Sequence, residues 1–287
     1  MHPFEYLAPE SLDETLAILA RYGDEAKVLA GGQSLLPILN YRLAQPAHVV
    51  DINGLPLEGM RLENGRLRFG ALTRHATLEE SADIRHHCPL LSEAARLIGN
   101  VRVRSLGTLG GSLVHADPAA ELPMVMLALD ARFTLASTRG VRTVPARSFF
   151  TGYLSTTIEA DELLTEIDVS ATPAMGYAVE EISRRAGDFA IVAVAALVRI
   201  DRRGRVDDAR LAFAGAAPTP VRVSQAEEVL SGHEPTVERV AQAAAAARAA
   251  AQPESDTFVS AAYRRLLSGV LARRALARAV SRALEAA

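Results

Sequence analysis

The sequence predicts an α+β protein in two parts, and three observations predict it. A β-α-β pattern runs from Ala26 to Ile52, and two alternating apolar stretches with turn residues inside them fall at 61–72 and 132–144. After Met175, three strand-like runs precede three helical ones. These observations place a new part at about Met175, following a first part of 1–174.

Each element has a local reason. Ser11 precedes Leu12, Leu16, Leu19 and Ala20 at helical spacing, which predicts an amphipathic helix over 11–22 with Ser11 as N-cap and Gly23 as its end. Ala26 to Ala30 reads as a short buried strand running into Gly31-Gly32, and Leu35 to Arg42 as a helix that tolerates Pro37 in its first turn. His48 to Ile52 returns as a strand. Leu62, Leu67, Phe69 and Leu72 around Asn64-Gly65 predict a hairpin. Leu78 to Ile84 and Leu90 to Ile98 read as helices, whereas Arg102 and Arg104 alternate as on a strand, facing solvent or a phosphate. Pro118 to Leu129 is an apolar helix, Arg132 to Val144 a second hairpin, and Thr165 to Val169 a strand before the linker-like 171–174. In the second part, Tyr177–Ser183, Ile191–Ile200 and Ala209–Ala214 predict a three-stranded antiparallel sheet, followed by helices at 224–231, 236–251 and 258–285. On the last helix, Leu266, Leu267, Val270, Leu271 and Leu276 are expected to pack inward. Arg264, Arg265, Arg273, Arg274, Arg278 and Arg282 are expected to face solvent or a partner.

Composition narrows the function classes. Of the 287 residues 49% are apolar and 23% charged, the balance of a folded globular chain. A net charge of −3 and the absence of tryptophan argue against a nucleic-acid surface. Cys88 is the sole cysteine, which excludes an internal disulfide, a cysteine-held iron–sulfur cluster and a Cys₄ zinc site, and points to a reducing cytoplasm. No secretory signal and no transmembrane run is legible.

Two glycine loops carry the chemistry: Ala30-Gly31-Gly32-Gln33-Ser34 and Gly107-Thr108-Leu109-Gly110-Gly111-Ser112. Glycine pairs followed by a hydroxyl residue let successive backbone amides turn toward one oxyanion, and two such loops suit the two groups of a pyrophosphate as halves of one cradle. Neither matches the Walker or Rossmann pattern, which leaves another kind of dinucleotide fold.

Around both loops the order of residues resembles the FAD-binding medium subunit of the molybdenum hydroxylases, of the carbon monoxide dehydrogenase and xanthine dehydrogenase type. The resemblance continues through His115-Ala116-Asp117-Pro118, Glu121-Leu122-Pro123, Gly152-Tyr153, Leu163 to Ile167, Arg184 to Ala190 and Tyr263-Arg264-Arg265, covering almost the whole chain. It implies an FAD-binding fold of the vanillyl-alcohol-oxidase (PCMH) type over 1–174, built of two α/β subdomains at about 1–55 and 56–174, and a CO-dehydrogenase-flavoprotein α+β domain over 175–287. It also implies that FAD is held by Lys27, Leu29, Ala30, Gly31, Gly32, Gln33, Ser34 and Leu35 on one side. Ile98, Leu106, Gly107, Thr108, Gly110, Gly111, Ser112 and Ala116 are implied on the other, with Asp117, Glu121, Leu163, Leu164 and Phe189 completing the set. Two departures stand out: Glu180-Glu181 where several members place a lysine near the flavin, and Phe189 where some place a tyrosine.

The implied function is electron transfer, from [2Fe–2S] clusters of a small partner subunit through FAD to an external acceptor. Molybdopterin then lies in a large partner subunit, within a dimer of heterotrimers, and no catalytic or metal-ligating residue is expected in this chain. The alternative is a stand-alone FAD-dependent oxidoreductase on the same fold. Simpler readings stand beside these. His86-His87-Cys88, with His75 nearby, reads as a solvated loop rather than a metal site; His115 and Asp117 lack the Gly-x-Ser-x-Gly elbow a hydrolase requires; and Asp117 and Glu121 would suit a helix N-terminus without any ligand.

Overall fold

In the computed structural model, which describes residues 1–286, the first unit opens with β1 (Glu5–Leu7), α1 (Leu12–Tyr22), β2 (Ala26–Leu29), α2 (Leu35–Asn40) and β3 (His48–Asp51). The three strands form a parallel sheet in the order β1-β3-β2. Ser11 caps α1 by accepting from the Glu14 amide at 3.2 Å, and Gly23 ends it at φ +49°. Ala20 is exposed while Thr15 is buried, so the inner stripe runs through Thr15, Leu16 and Leu19. In β2 only Ala26 is buried, because this edge strand borders open space instead of core.

The second unit is an antiparallel five-stranded sheet, ordered β4-β5-β10-β6-β7, with a layer of short helices. It comprises β4 (Met60–Glu63), β5 (Arg66–Gly70), α3 (His75–Glu80), α4 (Ala82–His87), α5 (Pro89–Ala95), α6 (Val101–Leu106), α7 (Leu109–His115) and α8 (Glu121–Ala128). Then follow β6 (Arg132–Ser137), β7 (Gly140–Pro145), the small ribbon β8 (Phe150–Gly152) and β9 (Ser155–Thr156), and β10 (Leu163–Ser170). Asn64 and Gly65 turn the β4–β5 hairpin with φ of +51° and +72°, the positive pair a two-residue loop needs.

Several expectations are corrected here. The 78–84 helix is two, since Ser81 ends α3 in extended conformation and caps α4 through its hydroxyl. Arg102 and Arg104 lie on helix α6, not on a strand, because Asn100 caps the amides of Arg102 and Val103; Arg104 pairs with Glu79 at 2.6 Å. The 118–129 helix begins only at Glu121, since Asp117 turns the chain by accepting from the Ala119 amide at 2.8 Å. His86 and His87 end α4 instead of occupying a loop, and Cys88 is fully buried.

The C-terminal sheet has four strands, not three: β11 (Gly176–Ser183), β12 (Ala190–Ile200), β13 (Val206–Ala214) and the two-residue β14 (Val221–Arg222). It is followed by α9 (Ser224–Leu230), α10 (Val237–Ala250) and α11 (Ala261–Ala286). β12 is buried on both faces. Ala193, Ala195 and Leu197 join the core shared with α5 and α8, while Val192, Val194, Ala196 and Val198 pack under α10 and α11. This explains why α8 is apolar all round: Leu122 to Ala128 are all buried between the two sheets.

On α11 the inward face is mostly alanine, at 272, 275, 279 and 283, so the helix lies close to the sheet; a Cβ at Gly176 would overlap the Ala279 carbonyl oxygen. Leu266 and Val270 are exposed, contrary to expectation, and four of the arginines have protein partners, Arg265 donating to the Ala251 carbonyl at 3.2 Å. Arg264 donates to the carbonyls of Ile191 and Gly215. Arg278 and Arg282 both reach Glu93 of α5, which also accepts from the Val179 amide at 2.8 Å. Glu93 thus joins α5, β11 and α11. Replacing it by alanine should lower stability to urea by about 2 kcal/mol, the cost of leaving these donors unmatched; an unchanged urea midpoint would refute that role.

Candidate cofactor site

The first glycine loop leaves the end of β2 and enters α2, with Gly32 at φ +71°. Gln33 donates from Nε2 to the Gly31 carbonyl at 2.9 Å, which curls the loop on itself. The amides of Gly31, Gly32, Gln33 and Ser34 have no acceptor among the described residues. A row of half-buried, unspent N–H donors at the end of a parallel strand is an anion cradle.

The second loop is built differently. Most of its amides are spent within the protein: Gly107 N–H donates to Val103, Leu109 N–H to Thr73, Gly110 N–H to Ala71, Gly111 N–H to the Thr108 hydroxyl at 3.1 Å and Ser112 N–H to the Thr108 carbonyl. Its glycines serve close approach instead. A Cβ at Gly110 would meet Ala71 at 2.7 Å, and one at Gly31 would overlap the Leu106 carbonyl oxygen and lie 2.8 Å from the Gly107 Cα. The loops are therefore not two equal halves of a cradle. One offers donors, and the other is packed flush against it.

A hydrogen-bonded chain fixes this contact. Asn53 Nδ2 donates to the Ala30 carbonyl at 2.9 Å, Arg74 donates to Asn53 Oδ1 at 2.8 Å, and the same guanidinium donates to the Leu106 carbonyl at 2.6 Å. Next to it, His75 Nε2–H donates to the Thr108 carbonyl at 2.9 Å. Burial depresses the pKa of His75 to about 4, with the charges of Arg104 and Arg74 acting in the same direction, so the ring is neutral near pH 7. None of Asn53, Arg74 and His75 was foreseen as part of the site.

The loops border a cavity of about 780 Å³, at the upper end of the roughly 300–1,000 Å³ common for small-molecule sites. Lys27, Ala30 to Leu35, Ile98, Gly107, Thr108, Gly110 to Ser112, Asp117, Glu121, Leu163, Leu164 and Phe189 all line it. Leu29, Leu106 and Ala116 do not. The Leu29 carbonyl is spent on the Ile52 amide, the Leu106 side chain is exposed, and Ala116 is buried at φ +53° where it ends α7. The second unit also contributes the 154–160 segment, and the C-terminal unit adds Gly187, Asp188 and Phe189. Gly187, at φ +84°, sits so close to Gly99 that a Cβ would lie 2.7 Å from its carbonyl oxygen, which seats the 184–189 loop on the cavity rim. Phe189 remains 60% exposed there.

The rim is acidic. Burial pushes Glu121 up to about 7, with Asp117 adding to the effect, and burial together with the Glu121 charge pushes Glu181 up to about 8. His115 is depressed by burial, against the opposing pull of Asp117. No group of three or more His, Cys, Asp or Glu among the described residues could hold a metal. The open amides of the first loop, the lysine on the same wall and a large, mostly apolar cavity with carboxylate acceptors suit a dinucleotide.

Comparison with known proteins agrees. Residues 2–171 match the FAD binding domain in molybdopterin dehydrogenase, and residues 177–279 match the CO dehydrogenase flavoprotein C-terminal domain. The chain belongs to the family of FAD-binding medium subunits of molybdenum hydroxylases, and is an oxidoreductase flavoprotein. Among relatives, the 6-hydroxypseudooxynicotine dehydrogenase complex subunit alpha of Paenarthrobacter nicotinovorans is 41% identical, over 98% of this chain and 95% of its own length. In the solved structure of carbon monoxide dehydrogenase from Hydrogenophaga pseudoflava, a chain superimposes with TM-score 0.95 at 41% identity, over 98% of this chain and 99% of that one. Quinoline 2-oxidoreductase from Pseudomonas putida 86 gives TM-score 0.93 at 34% identity, over 99% of each chain.

Two outcomes test the site. Gly31→Ala should part the loops and weaken FAD binding about tenfold or more, the equivalent of roughly 1–3 kcal/mol of overpacking; flavin fluorescence quenching measures it, and unchanged affinity refutes the contact. Glu121 and Glu181 bind protons that the unfolded chain, with ordinary carboxyl values near 4.5, has already released. Their stabilising contribution is complete below that value and is lost as pH rises through about 7 and 8, at most about 1.4 kcal/mol per pH unit for each linked proton. The melting temperature of the FAD-free chain should therefore fall from pH 5 to 8, less steeply in Glu181→Gln; a rise over that interval would contradict the assignment.

Proposed function

We propose that this chain is the electron-transfer subunit of a molybdenum hydroxylase complex, standing between [2Fe–2S] clusters of a small partner subunit and an external acceptor. A large partner subunit carries molybdopterin and oxidises the substrate, and the whole is a cytoplasmic dimer of heterotrimers. The observation that carries this reading is the open row of amides from Gly31 to Ser34, closed against a second glycine loop at the edge of one large cavity. Support comes also from relatives named as subunits or medium chains of dehydrogenases, matched over nearly their whole length. No helix among the described residues is long and apolar enough to cross a membrane.

In this reading the FAD-binding domain is 1–174 and the CO-dehydrogenase-type domain 175–287. FAD supplies an acceptor that takes electrons and releases them one or two at a time. The chain's own residues do the rest. The first-loop amides would hydrogen-bond the pyrophosphate and Lys27 would offset part of its charge, while Thr108 and Ser112 would offer hydroxyls. Asp117 and Glu121 would accept hydrogen bonds from flavin or ribose hydroxyls, and Phe189 would offer an apolar stacking face without the hydrogen bond a tyrosine would add. Leu29, Leu106 and Ala116, outside the cavity wall, act through backbone placement.

The purified chain should take up FAD stoichiometrically and show flavin absorbance, without oxidising substrate alone. Activity should appear only with the two partner subunits. A colourless chain that cannot be loaded, or turnover by the chain alone, would overturn the assignment.

A further inference from the structure

Two carbonyls at the start of the donor loop are held by side chains. Gln33 takes the Gly31 carbonyl from within the loop, and Asn53, just past β3, takes the Ala30 carbonyl at 2.9 Å. Asn53 is not part of the cavity wall, whereas Ala30 and Gly31 are. A trans peptide holds its C=O and N–H on opposite sides, and there is no cis bond among the described residues. The Ala30–Gly31 peptide, with its oxygen on Asn53, therefore turns the Gly31 N–H away from Asn53. That N–H has no acceptor among the described residues.

We propose that Asn53 is a positioning residue of the cofactor cradle: by holding the Ala30 carbonyl from outside the cavity, it aims the Gly31 N–H at the pyrophosphate. The proposal rests on the flavoprotein reading above. Asn53 touches no phosphate and acts through a single peptide plane. Gln33, by holding the Gly31 carbonyl, fixes the next peptide and so the Gly32 N–H independently of Asn53.

The surroundings leave the Asn53 amide one orientation. Its Nδ2 donates to the Ala30 carbonyl and to Asp51 Oδ1 at 2.7 Å, and its Oδ1 accepts from Arg74 at 2.8 Å. Turned over, it would set its oxygen against two acceptors and its N–H groups against a guanidinium. Both partners are themselves fixed. Asp51 accepts from the Tyr6 hydroxyl at 2.6 Å and from the Asn53 backbone amide at 2.9 Å, while Arg74 donates to the Leu106 carbonyl and pairs with Glu58 at 3.3 Å. The direction of one amide is thus determined jointly from β1, β3 and the residue that precedes α3.

The test follows the glycine amide signals of the nitrogen-15-labelled full chain by NMR at neutral pH as FAD is added. In the wild type the Gly31 and Gly32 signals should both move. Asn53→Ala should abolish most of the Gly31 shift, keep that of Gly32 and weaken FAD binding about fivefold, the effect of one modest hydrogen bond. Asn53→Asp keeps an acceptor for Arg74 but offers the Ala30 carbonyl no donor, so it should lose the Gly31 shift as well. A Gly31 shift retained in either variant overturns the proposal. Equal loss at Gly31 and Gly32 also overturns it, because the loop would then only have loosened. Wild-type signals that ignore FAD altogether refute the flavoprotein reading itself, an outcome distinct from a chain that binds FAD with Gly31 indifferent to Asn53.

Discussion

The contact between Gly31 and the Leu106–Gly107 peptide governs the architecture of the site. Hydrogen atoms are all that fit where the two backbones meet, and a methyl group would drive them apart. Because they meet, a loop from the small parallel sheet and a loop between two short helices become one continuous rim. The chain Ala30, Asn53, Arg74, Leu106 then ties together backbone from both units, and neutral His75 fixes the second loop from behind. Donors that would be pointless on an isolated hairpin face a common space as a result.

The C-terminal sheet has an equally definite part. It is a partition with apolar residues on both faces, so it can pack on the five-stranded unit and carry its own helices at once. Placing Glu181 on the inner face of that partition, with its Oε2 buried and unpartnered, runs against stability, because a buried polar atom without a hydrogen bond is disfavoured. Residues that weaken a fold in this way are most often tolerated where a function depends on them.

Much of this was legible in the sequence because the signals were local. Asn64-Gly65, Ser11 with Gly23, and the continuous apolar run of 191–198 each specify their conformation within a few residues, and the two glycine loops declared themselves by composition. Where the signal was tertiary, reading failed. Val-Arg-Val-Arg has the period of a strand, yet Asn100 nucleates a single helical segment there. Two residues of β14 are too few to show any period. The arginines of α11 look like a solvated stripe until Glu93, 185 residues before Arg278, is folded against them. Asn53, Arg74 and His75 were invisible as site residues for the same reason: each is an isolated polar residue whose partner lies 21 to 33 residues away.

Cys88 lies in the core shared by both sheets. It is fully buried, and burial pushes its thiol up to about 12, so at neutral pH almost none of it is the reactive thiolate. As the only cysteine in the chain, it leaves the surface chemically silent toward thiol reagents. A single cysteine introduced at an exposed position such as Tyr153 or Val237 would then be the sole attachment point for a spin label or fluorophore. The native sequence is in effect already a background without reactive cysteine for labelling this chain.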